Sequence, residues 1–260
     1  MDINSIKNIK LELSFSELAS YHTMMEEFLD KELSRIEKHY EEIEKQEAQD
    51  MESEQQKQMY LDTIGEDYQA VKSFHAHSFR ASFLVHLFSI LEYHLKVHCD
   101  YIADHIQSVY RMNDLREQSD IMRAKKFLEK SYGIDWSSLS PEWSIISHLK
   151  TIRNSIVHFN GRAQKHEKVW TSLQSLPKEW YEIREGKFDE VDSRGKPKYG
   201  SDHYYSFIII SHRLNEYFMD KIKSFLTKII MQKPILKTPK AANPFNKFNH
   251  VGSSSSTEVE

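Results

Sequence analysis

Little in this chain punctuates turns. Its 260 residues contain only seven Gly and six Pro, too few for a protein built of many short strands. Cysteine is nearly absent. The single Cys99 can form neither an internal disulfide nor a Cys-based zinc cage, so a reducing, cytoplasmic setting is expected. No stretch approaches the 18 uncharged apolar residues that a membrane span needs, and the N-terminal MDINSIKNIK has no apolar core of a secretory signal. A GxxxxGK[ST] phosphate loop, a GxGxxG fingerprint and a GxSxG nucleophile elbow are all missing, which removes the sequence support for the common nucleotide-hydrolase, dinucleotide and serine-hydrolase readings. His94 and His98 stand at i, i+4 without a HExxH pattern or an obvious third ligand, so no metal and no cofactor are expected.

What is present is charge, unevenly spread, and helical periodicity. The formal net charge is -4. Residues 1–70 carry 18 acidic and 7 basic side chains, and the rest carry 21 and 28. An acidic N-terminal arm therefore precedes a mildly basic body, which permits a polyanionic ligand without being a nucleic-acid coat.

Ser14-Phe-Ser-Glu17 reads as a capping box opening a helix to about Gln49, with Leu18, Tyr21, Met25, Phe28, Leu29, Leu33, Ile36, Tyr40 and Ile43 at helical steps. A second helical segment from about Gln55 to His105, kinked or split at Gly65, is apolar nearly all round at its centre, as a buried central element would be. Asn113 or Asp114 caps a third helix that ends at Gly133. Ser140-Pro141 opens a fourth, running to Asn160 and stopped by Gly161. Residues 162–176 add a short helix, Asp192–Lys196 suits a small hairpin turn, and a last amphipathic helix covers about Tyr204–Met231. The expectation is an all-α, up-down bundle of about five principal helices. It divides into an acidic arm (1–70), a bundle (71–232) and a disordered tail (233–260).

The fourth helix ends in IRNSIVHFNG, residues 152–161. With Ile145, Leu149, Ile152, Ile156 and Phe159 taken as its core stripe, Arg153, Asn154 and His158 face away from it. Asn154 and His158 share a face, and the long Arg153 side chain is expected to reach the same space. Arg, His and an amide together suit phosphodiester chemistry. Imidazole exchanges protons near neutral pH, and a guanidinium grips phosphate oxygens.

The segment resembles the signature of the HEPN superfamily, Arg-x4–6-His with Asn after the Arg. Here it is Arg153-Asn154-x3-His158, preceded by a long apolar helix through Ile90-Leu91-Glu92. Arg80/His86 also fits the bare spacing, but it lies within the apolar helix, lacks the Asn, and reads as structural. The resemblance covers about residues 70–230. It implies a homodimer whose two Arg/His helices form a composite site, and a metal-independent endoribonuclease of phage defence or a toxin–antitoxin system. The products would carry 2′,3′-cyclic phosphate and 5′-hydroxyl ends. His158 would move the proton, Arg153 would stabilise the transition-state charge, Asn154 would position, and Glu92 would reach the cleft. Arg162, Lys165 and Lys168, just beyond the motif, would hold the RNA backbone, and an antitoxin or companion effector is an expected partner. The alternatives are a catalytically silent helical interaction module, with the acidic arm docking a basic partner or shielding the body, and a helical nucleotide-binding protein.

Overall fold

The computed structural model describes residues 3–45, 54–163, 167–187 and 203–232. The fold is an all-α helical bundle with a small three-stranded sheet at one side. Its elements are α1 (Ile3–Lys45), α2 (Glu54–Gln69), α3 (Ala76–His105), α4 (Asp120–Phe127), α5 (Ser140–Phe159), β1 (Arg162–Ala163), α6 (Lys168–Gln174), β2 (Tyr181–Lys187), β3 (His203–Ile209) and α7 (Arg213–Met231). Among the described residues no helix is long and apolar enough to cross a membrane.

α3 is the central element, as its composition requires. Phe83, Leu84, Leu87, Phe88, Leu91, Leu95, Cys99 and Ile102 are all buried, and α3 packs against α1, α4, α5 and α7. It is not apolar all round, because Ser82, His86, Ser89, Tyr93 and Val97 form one exposed strip. α2 and α3 are joined by a π-helical turn over Ala70–His75. The irregularity lies there rather than at Gly65, where a Cβ would meet nothing within 4 Å. α7 is the most amphipathic partner, burying Leu214, Phe218, Ile222, Phe225 and Ile229. The tryptophans serve as packing anchors. Trp136 and Trp143 meet edge-on with centroids 5.1 Å apart, both against Phe225, and Trp180 packs on Tyr217.

Several boundaries differ from the sequence reading. α1 begins at Ile3, not after Ser14. Leu11 and Phe15 are buried in the main core, so burial carries the helix through the apparent capping box. Within that helix Tyr21 and Phe28 are exposed rather than inward. Asp114 caps only one 3-10 turn, its carboxylate accepting the Arg111 N–H at 2.7 Å. Leu115 is then extended, and α4 starts after Ser119. A π-helical turn over Leu128–Tyr132 continues it, and the helical segment stops where expected, with Gly133 left-handed at φ 77°. The N-cap of α5 is Leu139 rather than Ser140, with Pro141 in the first turn.

One strand, β3, replaces the expected start of the last helix. β3 lies between β1 and β2, antiparallel to both. The residues 203–209, HYYSFII, alternate in burial at 206–209 and are rich in β-formers, so α7 starts only at Arg213. The Asp192–Lys196 turn and the 233–260 tail lie outside the described residues. Within the span 1–70, Leu11, Phe15 and Leu18 belong to the main core. Ile36 and Ile43 instead pack with Leu61 and Ile64 of α2 as a second, small cluster.

Candidate functional site

The end of α5 is locked in three ways. Asn160 and Gly161 are both left-handed, at φ 52° and 72°. The Asn160 and Gly161 N–H groups donate back to Ile156 and Ser155 carbonyls at 3.0 Å, closing the helix. The Gly161 carbonyl then accepts the Phe207 N–H at 3.2 Å, which fixes the helix end to β3. The Ser155 hydroxyl, buried beneath, donates to the Arg162 carbonyl at 3.4 Å. The motif residues thus stand on the last two turns of a helix that cannot slide.

The buried face of α5 is Glu142, Ile146, Leu149, Ile152 and Ser155, rotated from the expected stripe. Phe159 is exposed and Ile145 and Ile156 are half-buried. Glu142 is buried because Lys228 of α7 pairs with it.

This rotation decides where the polar groups go. Arg153 is half-buried and turns towards α3. Its guanidinium lies over the Phe88 ring, 5.3 Å from the centroid, and its Nη1 donates to Asn154 Oδ1 at 3.1 Å. Its Nε is buried without a hydrogen-bond partner. Glu92, one turn beyond Phe88 on α3, is half-buried beside it. Burial pushes the Glu92 carboxyl above the usual range, and Asp120 adds to that, while Arg153 and Lys150 pull it back. The four charged groups form a patch where α3, α4 and α5 meet. Lys150 donates to Ser119 Oγ at 3.0 Å, and Asp120 pairs with Arg123 at 2.5 Å.

His158 is apart from this patch. It is exposed, and its nearest ring is Phe159 at 6.2 Å. Five residues at 100° each put it about 140° round the helix from Arg153. No hydrogen bond joins the two, so the expected shared space within one chain is corrected. Phe88 and Glu92 draw the guanidinium the other way.

The basic residues divide as well. Lys168, exposed at the start of α6, lines a cleft of about 400 Å³ with Thr151, Asn154, Ser155 and Phe159. Arg162 lines a different groove, between α3 and β3. Lys165 lies outside the described residues. The structure therefore brings Arg153, Asn154 and Glu92 together, brings Lys168 to Asn154, and leaves His158 alone on the outer face. Lys150 was legible in the sequence, one turn before Asn154 on the same helix. Asp120 and Phe88 were not, because only packing brings α3 and α4 there. Arg80 of the alternative pair is structural. It is buried and donates to both oxygens of Glu26, at 2.9 and 2.6 Å. Among the described residues no group of three or more His, Cys, Asp or Glu could hold a metal.

No protein-family model, no curated protein and no solved structure matches this chain.

Proposed function

We propose that this chain is a HEPN-like, metal-independent endoribonuclease acting as a homodimer, of the kind that serves in phage defence or toxin–antitoxin systems. The observation that carries the reading is the locked end of α5, with Arg153 and Asn154 joined at 3.1 Å, Glu92 beside Arg153, and the His158 imidazole exposed one turn further on. Because one chain holds Arg153 and His158 on different sides of α5, the reading requires a second copy. The His158 of one copy and the Arg153 of the other then flank the scissile phosphate.

In that arrangement the substrate's 2′-hydroxyl gives its proton to His158 and its oxygen attacks phosphorus. Arg153 stabilises the charge gathered on the non-bridging oxygens. The phosphorus–O5′ bond breaks, and the leaving oxygen takes a proton from the imidazolium or from water. Asn154 orients Arg153, and Lys168 receives the strand in the cleft it shares with Asn154.

The test is RNA cleavage in EDTA by the wild type, His158→Ala and Arg153→Ala, with the mass of each in solution. Loss of about 10² or more in rate by each variant is expected, from a dimer of twice 30.8 kDa. Equal cleavage by all three rejects the site.

A second reading has one observation in its favour. The Arg153 guanidinium is already engaged, on Phe88 and on Asn154. A wild type that leaves RNA intact and stays monomeric supports a catalytically silent interaction module.

A further inference from the structure

α1 carries more apolar surface than the bundle uses. Along its 43 residues it buries Leu11, Phe15, Leu18, Leu29 and Ile36 against the rest of the chain. A second stripe, Leu13, Tyr21, Met24 and Phe28, is left 46% to 59% exposed. At 100° per residue the four lie within about 80° of one another around the helix, and Tyr21, Met24 and Phe28 follow the three-and-four spacing of a helix seam. Single exposed apolar side chains need no account, but a stripe along one helix marks a contact surface. The patch continues across a cleft of about 530 Å³ between α1 and α3, with Glu17 and Tyr21 on one lip and Tyr93, 63% exposed, on the other.

The charges on the same seam say what covers it. Carried outward, the spacing adds Lys10, Ser14 and Glu17 before the apolar centre, and Lys31, Arg35, Lys38 and Glu42 after it. A parallel second α1 in register would set Lys10 on Lys10, Glu17 on Glu17 and Lys31 on Lys31, which like-charge repulsion opposes. An antiparallel one behaves differently. With Met24 opposite the second copy's Phe28, Tyr21 meets Lys31, Glu17 meets Arg35, Ser14 meets Lys38 and Lys10 meets Glu42, and the two-fold axis repeats every layer. No layer of the seam then holds like charges. Beside the axis the two Glu27 side chains approach, each offset by Lys31 of its own helix at 4.0 Å. Arg35 is already shared with Glu32 at 2.6 Å, so the outer layer of Lys10 and Glu42 fixes the register. Among the described residues neither of these two has an ion-pair partner in its own chain. From Lys10 to Glu42 the contact runs about 48 Å. Widened by the α3 lip, it comes close to the ~800 Å² per side of a stable dimer.

We propose that the outer stripe of α1 is a docking surface for a second copy of this chain, the two helices antiparallel with Met24 against Phe28. The inference goes beyond the ribonuclease reading and does not depend on it, since the seam contains none of Arg153, Asn154 or His158.

The test is sedimentation of the full chain over about 1–100 μM. The wild type is expected to reach twice 30.8 kDa. Phe28→Glu, which places two carboxylates in the apolar centre, should weaken association by about 10². Lys10→Glu alone and Glu42→Lys alone should each weaken it about fivefold, and the two together should restore it to within about twofold. Arg116→Glu, exposed in the connection between α3 and α4, should leave it unchanged. All of these positions are exposed, so far-UV circular dichroism and melting are expected to match the wild type. A wild type that stays monomeric, a dimer that Phe28→Glu leaves intact, or a double variant no tighter than Lys10→Glu overturns the proposal. RNA cleavage by the wild type decides the ribonuclease reading separately, whichever way the sedimentation falls.

Discussion

At the scale of single residues, a buried ion pair and a half-buried carboxyl behave oppositely. Arg80 and Glu26 are paired through two hydrogen bonds in a dry setting between α1 and α3. Removing one partner leaves the other charge uncompensated. Arg80→Ala is expected to cost about 3–5 kcal/mol in urea unfolding, whereas breaking the exposed pair of Arg35 and Glu32 should leave stability nearly unchanged, because water screens it. Equal costs would contradict the burial argument. Glu92 is the converse case. Its carboxyl is pushed up in the folded chain, chiefly by desolvation, so the folded state binds the proton more tightly than the unfolded one. The stability this brings is complete below the ordinary carboxylate range and is lost as pH rises through the elevated value. Glu92→Gln should therefore melt higher than the wild type at pH 7–8, with the gap closing towards pH 4. A gap that widens on acidification would reverse the assignment.

At the scale of elements, the informative junction is the end of α5. Gly161 sits at φ +72° with Phe207 beside it, and an L side chain there costs about 1–2 kcal/mol. Gly161→Ala should lower the melting temperature by about 2–8 °C. It should also loosen the β1–β3 pairing, seen as faster amide exchange at Phe207, whose N–H donates to Gly161. An unchanged exchange rate would separate the helix stop from the sheet.

Elements were legible in the sequence where a local signal and the core agreed. The stops at Gly133 and Gly161 and the burial of α3 are of that kind. They were misplaced where burial overrode a local signal. Ser14-x-x-Glu17 has the composition of a helix start, yet Leu11, 0% exposed, gains more by extending the helix than the cap would by ending it. The segment 203–209 continued the periodicity of α7 on paper, but its backbone pairs with β1 and β2.

At the scale of the molecule, the acidic N-terminal span is not one unit energetically. Leu11, Phe15 and Leu18 are part of the main core, so deleting residues 1–50 should unfold the protein rather than unmask a basic surface. Beyond them the hairpin of α1 and α2 is held by Ile36, Ile43, Leu61 and Ile64. So small a cluster opens locally at little cost. Hydrogen exchange is expected to release amides around Ile36 and Leu61 long before those around Leu87 and Leu91 of α3. Simultaneous release would make the hairpin part of one cooperative unit. Its charge is better tested by Glu→Gln substitutions at exposed hairpin positions such as Glu37 and Glu41. If the arm repels RNA, these should raise affinity in low salt and have little effect in high salt.

The sequence by itself determined the helical class, the central position of α3 and the clustering of Arg153, Asn154 and His158 on one helix end. Composition, period and glycine stops act over a few residues and need no partner to be read. Only the tertiary structure decided how those side chains divide. The rotation of α5 about its axis is set by what α3 and α7 offer it. Phe88 and Glu92 draw Arg153 inward, Lys228 buries Glu142, and His158 is left outside. A helix pattern fixes spacing along the axis, but the direction of each side chain in space is chosen by the neighbours that bury it.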